Sequence, residues 1–363
     1  MNTLIVVVVF CVLIIVHEWG HFIAAKRLGV KVEKFSVGFG KKIFSRQYKG
    51  TEYMICAVPF GGFVKMAGDE RSECKGTTDE FFSHPIWHRA LIIVMGPIVN
   101  FLFAYLCFYF LFVTGFPMSS SKIGKVLENY PAYEAGILEG DQVIKIDDKD
   151  IMTWSDLEQT IKDSGGKEMQ FTLLRGNETI TKSIVPQEKI LKDLLGQETQ
   201  AWVIGIQTKG SDFILVKAGI GESFGKAFDQ LYKIVTVTLK AVYRIITGAM
   251  PAKGNVGGPI LIFIIIKSAA TMGLPHLIFI TGVISASLAL VNLFPVPVLD
   301  GGHLVFLAIE KVRKKPLSVK VEEGLTKFGF GLLLCLMIFL LFNDVSQMGW
   351  FENLKETFID FKN

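Results

Sequence analysis

The sequence predicts a multi-pass α-helical membrane protein of about four transmembrane helices, with a membrane-associated β-hairpin region and one α+β domain on the extracytoplasmic side. Three observations predict it. Half of the residues are hydrophobic and the mean hydropathy is +0.43, high for a soluble protein and low for a chain wholly immersed in lipid. Four apolar runs approach or reach the length that crosses a bilayer. Lysine and arginine gather beside alternate ends of those runs, which orients each of them.

The first run, Leu4–Val16, has no charge before it, and Lys26 and Arg27 follow it. A signal peptide has the opposite order. The expectation is a spanning helix at about 3–25, within a segment 1–30, with its C-terminal end in the cytosol. Residues 31–90 carry Lys31, Lys34, Lys41, Lys42, Arg46, Lys49, Lys65, Arg71, Lys75 and Arg89, so this loop is placed on the cytosolic side. Within it Val32–Phe39 and Thr51–Met66 are rich in β-formers, and Gly38, Gly40, Gly50, Gly61 and Gly62 punctuate them as breaks between hairpin strands.

A second span is expected at 91–116, running outward, and a soluble domain at 120–200. The region 201–275 reads as amphipathic helix at the membrane surface, because Phe224–Ile246 mixes apolar residues with Lys226, Asp229, Lys233, Lys240 and Arg244. The third span, Leu277–Val298, lies in a segment 276–326 whose cytosolic loop holds Lys311, Arg313, Lys314 and Lys315. The fourth, Phe328–Phe342, lies in 327–363 with an outer C-terminal tail. Five cysteines without a CxxC pair argue against a disulfide framework or a cysteine zinc site. The net charge of +4 is small for 363 residues, and no nucleic-acid partner is expected.

His17-Glu18-Trp19-Gly20-His21 reads H-E-x-x-H near the cytosolic end of the first apolar helix. Positions i and i+4 share one helix face, so both imidazoles can reach one Zn2+, while Glu18 can take a proton from an attacking water and pass it to the leaving amine. Ionisable groups inside a span are functional by default. A catalytic zinc needs a third protein ligand, and Asp300 stands out because charge bias puts it at the same depth and side as the HEWGH turn. A capping or loop aspartate is the plainer alternative. Pro295 and Pro297 are expected to break the helix and extend the backbone there. His84 and His88 read as a juxtamembrane helix start, His303 as an alternative ligand or, by preference, a surface residue, and His276 as lying at the outer face.

These residues resemble the site-2 protease family of intramembrane metalloproteases, in its bacterial RseP-like branch. The matching pieces are HEWGH at 17–21, FGGFVKM at 60–66, GPIVN at 96–100, GNVGGPI at 254–260 and residues 292–302, in the family's order. The resemblance implies zinc held by His17, His21 and Asp300, with Glu18 as base. It implies substrate contacts at Asn292, Pro295 and Pro297, and a guiding β element that includes Gly61 and Gly62. It implies a bacterial cytoplasmic membrane and single-pass transmembrane substrates, such as anti-sigma factors and signal-peptide remnants, cut in regulated intramembrane proteolysis. The stretch 131–146 looks like the core signature of a PDZ domain, with 154–161 as the helix beside its groove and 167–174 and 179–185 as closing strands. Such a domain either takes a peptide C-terminus by strand addition or acts as a steric filter. RseP carries two tandem PDZ domains, and this chain has room for one.

The alternative reading is a non-catalytic membrane scaffold with a PDZ peptide-binding domain and a structural zinc. Its mark would be loss of Glu18 or of the third ligand, and both are present. A zinc transporter would need several intramembrane ligands along a path, which the other spans lack.

Overall fold

The computed structural model describes residues 2–192, 198–209 and 212–347. Helix α1 (Asn2–Arg27) carries the whole HEWGH motif in its C-terminal half. Its 26 residues extend about 39 Å at 1.5 Å per residue, more than the roughly 30 Å apolar thickness of a bilayer. Lys26 and Arg27 in its last turn suit the negative end of the helix dipole.

Strands β1 (Val32–Tyr48) and β2 (Thr51–Met66) fold back on one another twice. The first part of β1 pairs on one side with residues 52–55 and on the other with residues 62–66; the second part pairs with residues 51–56. The result is a curled sheet of four segments, with 62–66 at one edge. Sequence placed breaks at Gly38 and Gly40, but β1 continues through both. Their φ values of 90° and 85° let the strand bulge and turn without ending. The sheet lies on α1 at Gly62, where a Cβ would come 2.8 Å from the Ser36 carbonyl oxygen and 2.9 Å from Ile14.

Residues 67–85 form an irregular strap tied to the base of the hairpin. Lys31 N–H donates to Asp79 O, Ala67 N–H to Lys31 O and Phe81 N–H to Ala67 O. Phe81 anchors the strap in a cluster with Ala24, Ala25, Val30 and Ile92. Helix α2 (Ile86–Thr114) follows, with Pro97 inside it. It crosses α1 at Gly20, where a Cβ would overlap the Met95 carbonyl. Close backbone approach of this kind is how helices associate where lipid removes the hydrophobic drive.

Residues 112–220 form a separate unit. Strand β3 (Phe116–Ser119) leads to β4 (Ile123–Val126), the short helix α3 (Pro131–Glu134), β5 (Gln142–Ile146) and β6 (Lys149–Asp150). Helix α4 (Trp154–Lys162) starts at a capping box, with Thr153 accepting from Asp156 N–H and Asp156 from Thr153 N–H. Strands β7 (Met169–Arg175), β8 (Glu178–Ile184), β9 (Gln187–Lys192), β10 (Glu198–Val203), β11 (Ile206–Thr208) and β12 (Phe213–Val216) complete it. The main sheet runs β6-β5-β7-β8, while β11 pairs with β4 and β12 with β3. Its core is Ile123, Ile137, Val143, Ile146, Leu157, Phe171, Leu173 and Ile204. The expected boundary at residue 200 was too early. Residues 201–203 continue β10, which pairs with β9, while 206–208 and 213–216 are the partners of β4 and β3.

The remaining helices are α5 (Ile220–Ile246), α6 (Pro259–Met272), α7 (Leu274–Asn292), α8 (Asp300–Arg313) and α9 (Val319–Gln347). Among the described residues α1, α2, α7 and α9 are long and apolar enough to cross a membrane; α6, with 14 residues, is short. Helix α6 has no side-chain cap of its own. Asp344 of α9 accepts from Gly258, Ile260 and Leu261 N–H at 2.8, 3.0 and 3.1 Å instead. The third span ends at Asn292, six residues before the expected boundary. Residues 293–299 are successive turns, closed by Phe294 N–H to Val291 O, Val296 N–H to Phe294 O and Leu299 N–H to Val296 O. The extended segment expected at Pro295 and Pro297 is therefore absent; short-range bonds fold the chain back on itself around both prolines. The fourth span, at Val319–Gln347, is longer than expected, and the expected outer tail lies outside the described residues.

Candidate metal centre

His17 and His21 are a turn apart on α1, and their Nε2 atoms lie 3.3 Å from each other. Asp300, the first residue of α8, brings Oδ2 to 3.2 Å from His17 Nε2 and Oδ1 to 3.6 Å from His21 Nε2. A tetrahedral zinc with ligand bonds near 2.0–2.1 Å needs donors about 3.3 Å apart, so the two imidazole nitrogens and the Asp300 carboxylate fit the ion. Asp300 Oδ2 is buried and accepts no hydrogen bond from the protein. Three converging donors and an orphaned carboxylate oxygen are what a metal would satisfy.

Glycines bring these pieces together. A Cβ at Gly301 would overlap the Leu293 and Phe294 carbonyls, and one at Gly302 the Val296 carbonyl. Helix α8 can therefore start against the backbone of the 293–299 turns, which holds Asp300 at the imidazoles. A Cβ at Gly96 would overlap His21 Nε2 and reach 2.9 Å from His17 Cε1, so α2 leaves room for both rings. On the far side of each ring sits a polar partner. His21 Nδ1 is 2.9 Å from Ile92 O, and His17 Nδ1 is 3.3 Å from Asn100 Nδ2.

The centre opens into a cavity of about 390 Å3 lined by Glu18, Phe63, Val64, Met66, Asp69, Phe81, Phe82, Asn292, Leu299, His303 and Glu322 among others. Glu18 sits beside the β2 edge, with the Val64 backbone amide as a hydrogen-bond partner and Gly62 packed against its stem. Asn292 Nδ2 is 3.3 Å from His17 Nε2, so Asn292 faces the metal position itself. Pro295 is exposed and is not part of the lining of the cavity at the centre. Pro297 packs against Gly329 of α9. Gly61, at φ 137°, borders a second, apolar cavity with Phe10, Ile14, Pro259, Ile260 and Phe263.

His303 is a correction. It is half-buried in the cavity wall one turn past Asp300, not on the surface. Burial pushes its imidazole below the ordinary value, although Asp300 and Glu322 pull the other way. The strap adds Asp69, Phe81 and Phe82 to the cavity wall. Phe82 lies under Arg71, whose guanidinium carbon is 4.1 Å from the ring centroid. Arg71 and Arg89 converge on Glu310 of α8 at 2.8 and 2.6 Å, and Arg71 also reaches Glu322 of α9 at 3.3 Å. The Arg89 hydrogen bonds hold the Glu310 carboxyl below its usual range against the opposing effect of burial. His84 and His88 flank the start of α2, with their Nδ1 atoms 3.4 Å apart, away from the centre.

An apolar helical body, a His–His–Asp donor set and an adjacent glutamate define a zinc metallopeptidase of the membrane. Residues 5–336 match the model of peptidase family M50, and the chain belongs to that family, which includes the site-2 proteases. Two relatives, each named "Putative zinc metalloprotease", come from Agrobacterium fabrum and Rhizobium meliloti. The first is 32% identical over 360 residues, covering 94% of this chain and 95% of its own. The second is 34% identical over 354 residues, covering 93% and 94%. Among solved structures, the PDZ domain of an SdrC-like protein from Listeria innocua covers 24% of this chain and 92% of its own, at 25% identity and a TM-score of 0.20. The PDZ-like character of residues 112–220 rests on their own element order.

Proposed function

We propose that this chain is an intramembrane endopeptidase that cuts the transmembrane segments of single-pass proteins, including anti-sigma-factor-like substrates and signal-peptide remnants, in the cytoplasmic membrane of a bacterium. One observation carries the reading. The donor set and Glu18 lie on, or directly against, helices long enough to span a bilayer, so a scissile bond must come to them within or beside the membrane.

His17, His21 and Asp300 hold the zinc, which when bound supplies Lewis-acid polarisation of the amide and a lower pKa for its water. Glu18 takes the proton from the attacking water and delivers it to the leaving nitrogen. Asn292 orients the substrate carbonyl beside the centre. The edge at 62–66, which among the described residues pairs only with β1, receives the unfolded substrate as an added strand. Gly62 keeps that edge close to α1, and Gly61 makes room for the Phe39 ring. The outer half of the hairpin exposes Phe39, Ile43, Phe44, Tyr48, Ile55 and Val58, an apolar patch suited to lipid.

The PDZ-like unit, placed outside the cytosol by the charge bias, takes a peptide C-terminus exposed by an earlier cut. It has a groove of about 320 Å3 between α4 and residues 202–207, lined by Trp154, Leu157, Ile161 and Trp202.

The test is cleavage of a single-pass test protein, with and without its outer domain, by purified full-length enzyme in lipid vesicles. The trimmed form should be cut within its membrane segment by wild type and not by Glu18→Gln. Cleavage confined to soluble loops would remove the intramembrane assignment.

A further inference from the structure

We propose that Asn100 is a positioning residue of the zinc site, holding His17 in the tautomer that leaves Nε2 to the metal. Asn100 is fully buried on α2. Its Nδ2 lies 3.3 Å from His17 Nδ1, and its Oδ1 is buried with no hydrogen-bond partner. His17 Nε2 faces His21 and Asp300. A metal there takes the Nε2 lone pair, and the ring proton must sit on Nδ1. An amide NH2 cannot accept that proton, but an amide oxygen can. Turning the carboxamide by half a turn puts Oδ1 where Nδ2 now lies, so it accepts from His17 Nδ1–H. Without metal the proton moves to Nε2, and Nδ1 accepts from Nδ2. One neutral group thus serves both states. A carboxylate would serve the loaded state only, and would add a charge to a fully buried position.

Helix α2 is built to present this group. Ile92, Gly96 and Asn100 are spaced by four and share one face. The Ile92 carbonyl accepts from His21 Nδ1–H, Gly96 makes room for both rings, and the Asn100 carboxamide faces His17 Nδ1. Ser285 of α7, itself fully buried, donates to the Asn100 backbone carbonyl at 2.9 Å and fixes α2 at this level.

Outer partners of metal-bound histidines tune affinity by about 10–100-fold. Zinc affinity of the full-length protein is measured by competition with a chelator, independently of proteolysis. Asn100→Leu, of similar volume but without an acceptor, should bind zinc about 10–100-fold more weakly, while Asn100→Asp, which keeps the acceptor and suits the loaded state, should bind it at least as tightly as wild type. Wild-type affinity in Asn100→Leu, or an equal loss in both variants, overturns the proposal. Nitrogen NMR of zinc-loaded wild type with labelled histidine gives a second readout that needs no variant. It should place the His17 proton on Nδ1; a metal-bound Nδ1 overturns the assignment.

Discussion

His21 Nδ1 and the carbonyl oxygen of Ile92 lie 2.9 Å apart, joining α1 to α2 at the metal centre. A carbonyl only accepts, so the ring proton of His21 is on Nδ1 and Nε2 is left as a lone-pair donor. The geometry of the centre is thus set by backbone as well as by side chains, and it depends on how closely α2 approaches α1.

That dependence gives the first prediction. Gly96→Ala pushes a methyl into both imidazoles. It should lose stoichiometric zinc and cut substrate at least about 100-fold more slowly, the scale on which a misplaced catalytic group costs rate. Metal analysis of the purified variant checks this. Gly225→Ala, on α5 with an ordinary helical backbone and no neighbour near its Cβ position, is the control for general effects of a glycine replacement.

Glu18→Gln keeps the shape of the side chain and removes the base. Zinc content should remain near wild type, while cleavage falls by about 100–10,000-fold, the usual worth of a positioned acid–base group. Rate and metal content measured on one preparation separate the two roles.

Glu310 lies between Arg71 and Arg89 and has a folded-state pKa below its ordinary value. A depressed carboxylate stabilises the fold above the unfolded pKa, about 4.3, and that stabilisation is lost as pH falls through the folded value. Glu310→Gln leaves the buried Arg89 without its counter-charge and should cost about 3 kcal/mol at pH 7. The gap in thermal stability between wild type and variant should narrow as pH is lowered below about 4.3. A gap that stays constant across that range would show that the network is not stabilising through its charge.

Asp344→Ala should weaken the seating of α6, because three amide groups lose the carboxylate that accepts from them. Removing caps and orphaning buried donors costs roughly 1–3 kcal/mol. Hydrogen exchange at Ile260 and Leu261 should quicken before global unfolding does.

Much of the centre was legible in sequence because its chemistry is local. An i, i+4 histidine pair in an apolar helix declares a site, and the DGG at 300–302 marks a carboxylate whose following glycines let backbone approach backbone. What sequence missed depends on long-range contact. His303 looked like surface because nothing in its neighbourhood shows that the strap from 67 to 85 closes over it. Gly38 and Gly40 looked like strand ends because a glycine that breaks a strand and one that bends it are identical in sequence. Strands β11 and β12 lacked a local signal strong enough to stand apart from the helices that follow; their partners β4 and β3 lie some 80–100 residues earlier. Pro295 and Pro297 signalled a helix end correctly but not what replaced it, since turns and extended chain both accommodate proline.

The most direct test of the account is zinc stoichiometry in purified full-length Asp300→Ala, compared with wild type and Glu18→Gln. The three-donor centre predicts about one zinc per chain in wild type and in Glu18→Gln, with most of it lost from Asp300→Ala. Full occupancy in Asp300→Ala, or a folded wild type that takes up no zinc, would contradict it.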